Sequence, residues 1–320
     1  MFEWYSRYIF PVLSDGLARV ASFFPFSLSD VFIYGSLVGL LVYLLLRVWY
    51  APWTVLGRSV LYLLGVGLWF YAAWGVNYFR EPFYGRAGVT PQPYDSVAFH
   101  AFLTRYAEKL NDSYLPEMQV DTDIVAREVK ARYRQIAPRF GLKEPREYHR
   151  AKPMLSSAMM SAVGVLGYIG PFFNEATLNA DLLPVQYPST YAHEMAHVLG
   201  VAGEGEANFY AWLVCSSSPV PEIRFAGWFS LFPYVLGNAY RTLSPEEFKA
   251  WTATVRPEVK DLYNRKNAYW QARYNAWWGD LQERVYNLYL KGNRVAGGTA
   301  NYSEVVGMVM AWEACSGDSR

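Results

Sequence analysis

The sequence predicts an N-terminal transmembrane helical hairpin followed by a predominantly helical α+β domain, and three features carry that expectation. Between Val31 and Phe79 the only charges are Arg47 and Arg58, which divide the stretch into two apolar runs long enough to span a bilayer. After about Glu81 the composition becomes that of a water-soluble domain with charged, amphipathic helices. Within that second part, two of the chain's 4 histidines stand one helical turn apart in His193-Glu194-Met195-Ala196-His197.

Composition bounds the classes. Of 320 residues, 52% are hydrophobic and 18% charged, against the roughly 25% charged of an ordinary soluble domain. Part of the chain is therefore expected to meet lipid. The formal net charge is +1, so no global field draws in nucleic acid, and no nucleic-acid partner is expected. Cys215 and Cys315 form neither a disulfide framework nor a thiolate metal cluster and read as two separate buried thiols, with a single disulfide between them as the alternative. The aromatic share, 18% with 12 Trp and 26 Tyr, suits membrane interfaces and aromatic cores equally.

In chain order, residues 1–30 read as an amphipathic helix in the membrane interface: Tyr5, Tyr8, Ile9, Val12, Leu13, Leu17, Val20 and Phe24 recur every three or four positions, with Ser6, Arg7, Ser14, Asp15 and Arg19 between them. Pro11, Asp15 and Arg19 interrupt any apolar run of the kind a cleavable signal peptide needs. Residues 31–79 form the hairpin. Val31 to Leu46 is uncharged and reaches about 20 residues if Arg47 snorkels, and Ser59 to Phe79 is uncharged throughout. Pro52 and Gly57 mark the turn, and Trp69, Phe70, Tyr71, Trp74, Tyr78 and Phe79 form an aromatic belt at the far end. Arg47 and Arg58 stand in the loop without acids, whereas Asp30 and Glu81 dilute the basic flanks, so the loop is placed on the cytoplasmic side.

Residues 80–95, with Pro82, Gly85, Gly88, Pro91 and Pro93, read as a linker, and 96–320 as one domain. Helices are expected over Ala98–Leu110 and Thr122–Ile136. A strand is expected after Gly170-Pro171, a capping-box helix from Ser244-Pro245 with Glu247, and a long helix from Glu258 to Lys291 ending at Gly292-Asn293.

The chemistry concentrates in Tyr191–Gly200. On a helix, His193 and His197 share one face and can both reach one ion at about 2.0–2.1 Å. Glu194, one position away, overhangs the ion's open site, where it can take a proton from zinc-bound water and pass it to a leaving amine. The surrounding Ala192, Met195, Ala196, Val198 and Leu199 argue against two idle imidazoles, because half-buried polar rings need partners. A catalytic zinc needs a third protein ligand. Gly200 can end the helix and Gly203 can turn the chain, so a following acid can fold back onto the metal. Glu204 shares a narrow stripe with Ala207, Asn208 and Ala211, while Glu206 shares its side with Tyr210 and Leu213. Glu204 is therefore preferred as ligand, with Glu206 the alternative and Asn208 holding a ligand from behind.

The motif followed by Glu204-x-x-Ala207-Asn208 resembles the gluzincin metallopeptidases, although the gap between His197 and Glu204 is short and Gly203 stands where a metzincin would carry a ligand. Tyr168–Glu175, the histidine motif, Glu204–Phe209 and the closing Tyr286–Asn293 together resemble an uncharacterised family of membrane-anchored, zincin-like bacterial proteins, a domain of unknown function. That resemblance covers most of the chain. It implies a zincin-like metallopeptidase domain in the bacterial inner (cytoplasmic) membrane, multi-pass, with the soluble domain extracytoplasmic, and it supplies no substrate. In zincins the strand before the zinc helix is a sheet edge that receives an extended peptide. Phe173, Asn174 and Glu175 stand in the corresponding place as candidate substrate contacts, Glu175 towards a substrate amine, with a solvated turn carboxylate as its plainer reading. His149, Tyr168 and Tyr210 are the candidates for stabilising an oxyanion, each with a core or solvated role as the plainer alternative.

Two functions follow. One is a membrane-anchored zinc metallopeptidase acting on a peptide or protein beside the lipid bilayer. The other is a non-catalytic envelope protein whose zinc site is structural or vestigial and whose aromatic domain binds a protein or lipid partner. Glu194 favours the first, since a structural site has no use for that acid, and oligomeric state is open.

Overall fold

The computed structural model describes residues 2–91, 96–280, 284 and 302–317. Phe2–Trp4 and a π-helical turn, Tyr5–Ile9, lead into α1 (Phe10–Ala21). Two long helices follow, α2 (Leu28–Arg47) and α3 (Pro52–Ala73), and a 3-10 turn at Gly75–Phe79 carries the chain into the domain. The domain contains α4 (Phe83–Ala87), α5 (Ser96–Ser113), α6 (Thr122–Ile136), β1 (Lys152–Pro153), α7 (Ser157–Ala162), β2 (Gly167–Gly170) and β3 (Glu175–Leu178). It continues through α8 (Tyr187–Val198), α9 (Glu204–Ser216), α10 (Pro221–Thr242), α11 (Pro245–Thr254), α12 (Pro257–Gln271) and α13 (Tyr302–Gly317). The chain is thus predominantly helical.

Both α2 and α3 are long and apolar enough to cross a membrane. They are not core helices of a soluble domain: Leu37 and Leu45 are 62% and 65% exposed, which in water would forfeit about 25 cal/mol per Å² of apolar surface. They are compatible with a membrane anchor. Ser27 caps α2 by accepting from the Asp30 N–H at 3.0 Å. The buried Glu175 carboxylate adds a second cap, accepting from the N–H groups of Leu28 (3.3 Å) and Ser29 (2.8 Å). The hairpin is therefore tied directly to the sheet.

The second helix differs from the expected span. It begins at Pro52, runs past Arg58 and ends at Ala73, because Trp74 leaves helical geometry and turns inward. Trp74 and Asn77 are buried, so the far part of the expected aromatic belt belongs to the domain interior.

The N-terminal helix is amphipathic, but the face that docks is the polar, small-residue one. Phe10, Ser14, Ala18 and Ala21 are buried, while Tyr8, Ile9, Val12 and Val20 point outward. Asp15 explains the reversal. It pairs with Lys143 (2.9 Å), Arg146 (3.1 Å) and His149 (3.4 Å), and Lys143 also donates to Ser14. Burial is the largest influence on His149 and, against the pull of Asp15, lowers its pKa to about 4. Asp15, in spite of its burial, is held well below the ordinary carboxylate range by His149 and Lys143. The fold thus holds a neutral His149, whose folded pKa lies below its unfolded value of about 6.5. Its contribution is complete above pH 6.5 and is lost as pH falls from 6.5 to 4, by about 3 kcal/mol. Asp15 adds a further loss below about pH 4. Thermal unfolding followed against pH should show both limbs, and His149→Gln should flatten the first.

Residues 83–89 are core rather than linker: Phe83, Ala87 and Val89 join the main hydrophobic cluster with α5, α6 and α8–α10. The sheet order is β1-β3-β2, with β3 parallel to β1 and antiparallel to β2. The strand expected after Gly170-Pro171 is therefore central, and β2 is an edge. The expected helices over 98–110 and 122–136 and the Ser244 capping box are present. The long helix expected from Glu258 to Lys291 breaks after Gln271. There the Asn275 N–H donates to the Ala162 carbonyl (2.8 Å), and its side chain accepts from the Trp278 N–H (3.2 Å), starting a new turn. Tyr286–Asn293 lies outside the described residues. Cys215 and Cys315 are free thiols, the first buried and the second half-buried.

Candidate metal centre

Helix α8 is entered through Pro188 and packed on every side but the one that carries His193, so its histidine face is fixed by the core beneath it. Gly200 ends it. Its φ of +93° suits glycine, and a side chain there would meet the Phe10 ring of α1 at 2.8 Å. The reversal through Gly203 starts α9 at Glu204, whose carboxylate comes back over the histidines.

His193, His197 and Glu204 each offer a ligand atom, all within 4.8 Å of one another. The two Nε2 atoms stand 3.1 Å apart, and Glu204 lies 3.1 Å from His193 Nε2 and 3.8 Å from His197 Nε2. Bonds of about 2.0–2.1 Å to a tetrahedral ion place donors about 3.3 Å apart, so zinc fits between them. The rings are set for it from behind. His197 Nδ1–H donates to the Val201 carbonyl (2.7 Å), and His193 Nδ1–H donates to Asn208 Oδ1 (2.9 Å). Both Nε2 lone pairs then face each other, an arrangement that requires a cation or a proton between them. Burial lowers the pKa of His197, but Glu204 outweighs it and raises the value to about 9. Although desolvation by the walls of the cleft opposes its ionisation, Glu204 is held well below its usual range by His193 and His197.

Glu194 is buried with Oε2 lacking a hydrogen-bond partner. Burial pushes its carboxyl up to about 7, against the pull of His193 and His197. Gly167 of β2 makes room for it: a Cβ there would meet Glu194 Oε1 at 2.5 Å. Gly167→Ala is accordingly expected to displace Glu194 while zinc content, read by metal analysis, stays unchanged.

Of the two acids weighed for the third position, Glu204 faces the histidines. Glu206 turns to the buried Arg86, with which it forms an ion pair. Asn208 stands behind His193 and donates its amide to the Tyr234 hydroxyl (3.0 Å). The proposed substrate contacts are not at the cleft. Phe173 packs towards Phe32 of α2, and Asn174, at φ 52°, donates to the Val198 carbonyl (3.3 Å). Glu175 is buried on Lys152 (2.6 Å) and the α2 N-terminus. The reason is the sheet order, which places β2 beside the His193, His197 and Glu204 cluster instead. Among the oxyanion candidates, His149 lies under α1, Tyr210 is buried beside Glu206, and Tyr168 lines the cleft with its hydroxyl donating to Asp30.

The cleft has two arms that share Gly167, His193, Glu194 and Glu204. One, about 340 Å³, is lined by Gln186, Ser189, Ser230, Tyr234 and Lys266. The other, about 480 Å³, is walled by Phe70, Trp74, Tyr78, Ile169, Pro171 and Ala202. Sequence reasoning missed Gly167, Trp74, Tyr234 and Lys266. None lies at a motif spacing from the histidines, and only the fold brings them there.

Fold and site together define a helical protein with two membrane-length helices and a His-His-Glu donor set at their base. The family model described as "Protein of unknown function (DUF3810)" matches residues 5–310, and the chain belongs to that family. Comparison with curated proteins and with solved structures finds no match.

Proposed function

We propose that this chain is a membrane-anchored zinc metallopeptidase with a zincin-like domain, its zinc held by His193, His197 and Glu204. The observation that carries the reading is the convergence of those donors beside the buried, unpartnered Glu194 Oε2 in an open cleft. Zinc, when bound, supplies Lewis acidity to the scissile carbonyl and to the attacking water. Glu194, with its raised pKa, takes a proton from the water as its oxygen attacks the carbonyl carbon, and returns it to the amine nitrogen as the C–N bond breaks. Asn208 and Val201 hold the imidazoles in the tautomer that binding requires.

Strand β2 suits an extended substrate. The Asn179 N–H donates to the Leu166 carbonyl (2.9 Å), so by antiparallel alternation Gly167 and Ile169 present their backbone groups to the outer edge. On this reading α2 and α3 span the bacterial inner membrane, with Arg47 and Arg58 at the cytoplasmic end and the domain outside. The alternative, a structural zinc in a partner-binding protein, calls for a fourth protein ligand, whereas three donors converge among the described residues. Metal analysis of the full chain in detergent, beside hydrolysis of a degenerate peptide pool, tests the reading. One zinc per chain and chelator-sensitive cleavage are expected, and failure to take up zinc overturns it.

A further inference from the structure

The metal centre lies one side chain away from the end of a membrane-length helix. Trp74 directly follows the last residue of α3. Its Nε1–H donates to the His197 carbonyl at 3.0 Å, and its ring centroid is 6.2 Å from the His197 ring. The Tyr5 hydroxyl donates to the Ala72 carbonyl (2.6 Å), which sets the helix bearing the outward Tyr8, Ile9 and Val12 against the same turn. The 480 Å³ arm starts at the donor triad and runs along this junction, with Phe70 and Trp74 on the hairpin side and Ile169 and Ala202 on the domain side. The other arm sets Gln186, Ser230, Tyr234 and Lys266 among Val185, Phe229 and Pro233 and is the more polar of the two. The cleft is therefore asymmetric, mainly apolar on the hairpin side and mixed polar and apolar on the other.

We infer that the substrate is a polypeptide tethered to the same bilayer, whose apolar membrane-proximal stretch lies in the arm walled by the end of α3, with the bond to be cut just outside the lipid. A polar flank would leave that wall bare. A tethered chain reaches the triad along the hairpin, where the wall is mainly apolar. The inference rests on the metallopeptidase reading and names its substrate class.

The test uses the full zinc-loaded chain in phosphatidylethanolamine/phosphatidylglycerol nanodiscs and measures binding rather than turnover. Three peptide hydroxamates share one zinc-binding end and differ in the opposite flank: polar and acetylated, Leu/Val-rich, or palmitoylated. At least one apolar form should bind about ten- to a hundredfold tighter than the polar form. Met160→Gln, at the half-buried rim of the arm, and Ile169→Asn, within it, should each remove most of that advantage while zinc content is unchanged. Partition into lipid is common to wild type and variants, so the difference reads the arm itself. A gain confined to the palmitoyl form identifies a lipoprotein, and one confined to the Leu/Val form an integral membrane protein. Equal affinity for all three, or an advantage that survives in both variants, overturns the inference and leaves the metallopeptidase reading standing. Binding of none of the three by zinc-loaded protein overturns both.

Discussion

Glu194→Gln is expected to retain a full equivalent of zinc and to lose hydrolysis by about 10²–10⁴-fold, the range a positioned general base contributes. The substitution keeps the shape of the side chain and removes its capacity to carry a proton. Because Glu194 stands outside the group formed by His193, His197 and Glu204, the donor set should be untouched. The buried site is relieved of a charge that burial disfavours, so stability should be equal or slightly higher. His193→Ala and His197→Ala should instead release the metal. Metal content, thermal unfolding and turnover measured on the same preparations separate the two patterns. Unchanged turnover in the Gln variant would remove Glu194 from the proposed mechanism.

The two acids of α9 should fail in opposite ways. Glu204→Ala removes a proposed ligand and should release zinc at modest chelator concentration, with little loss of fold because the side chain is open to the cleft. Glu206→Ala should keep the zinc set and cost about 3–5 kcal/mol of stability, since it leaves the guanidinium of Arg86 buried without its carboxylate. Arg86 also donates to the carbonyls of Glu81 (2.8 Å) and Phe140 (3.3 Å), so the loss would spread into the segment that joins the hairpin to the core. Asn208→Ala belongs between them. It frees the back of His193 and should weaken zinc by about 10–100-fold without abolishing binding. If Glu206→Ala strips the metal and Glu204→Ala does not, the donor assignment is wrong.

How much of this was legible beforehand depends on the range of the signal. The α5 and α6 helices, the Ser244 cap and the histidine pair are local patterns, set by period, capping chemistry and one-turn spacing, and they stand where the sequence puts them. The preference for Glu204 was also local, because the small residues beneath it and the bulky ones beside Glu206 lie on one short helix. Local patterns failed wherever a polar residue had a distant partner. Asp15 and Ser14 read as the wet face of α1 until Lys143 and His149, far along the chain, turn that face inward. Glu175 read as a cleft residue until the N-terminus of α2 claims it.

By itself the sequence determines two membrane-length apolar runs and a helix carrying two imidazoles and an acid in metal-binding register, because both follow from residue type at fixed helical spacing. Only the tertiary structure decides which strand borders the cleft, that the carboxylate between His193 and His197 is buried against Gly167, and that Trp74 joins the end of α3 to the back of His197. Those are contacts between segments many residues apart, fixed by the packing of the whole core and by where each buried polar group finds its partner.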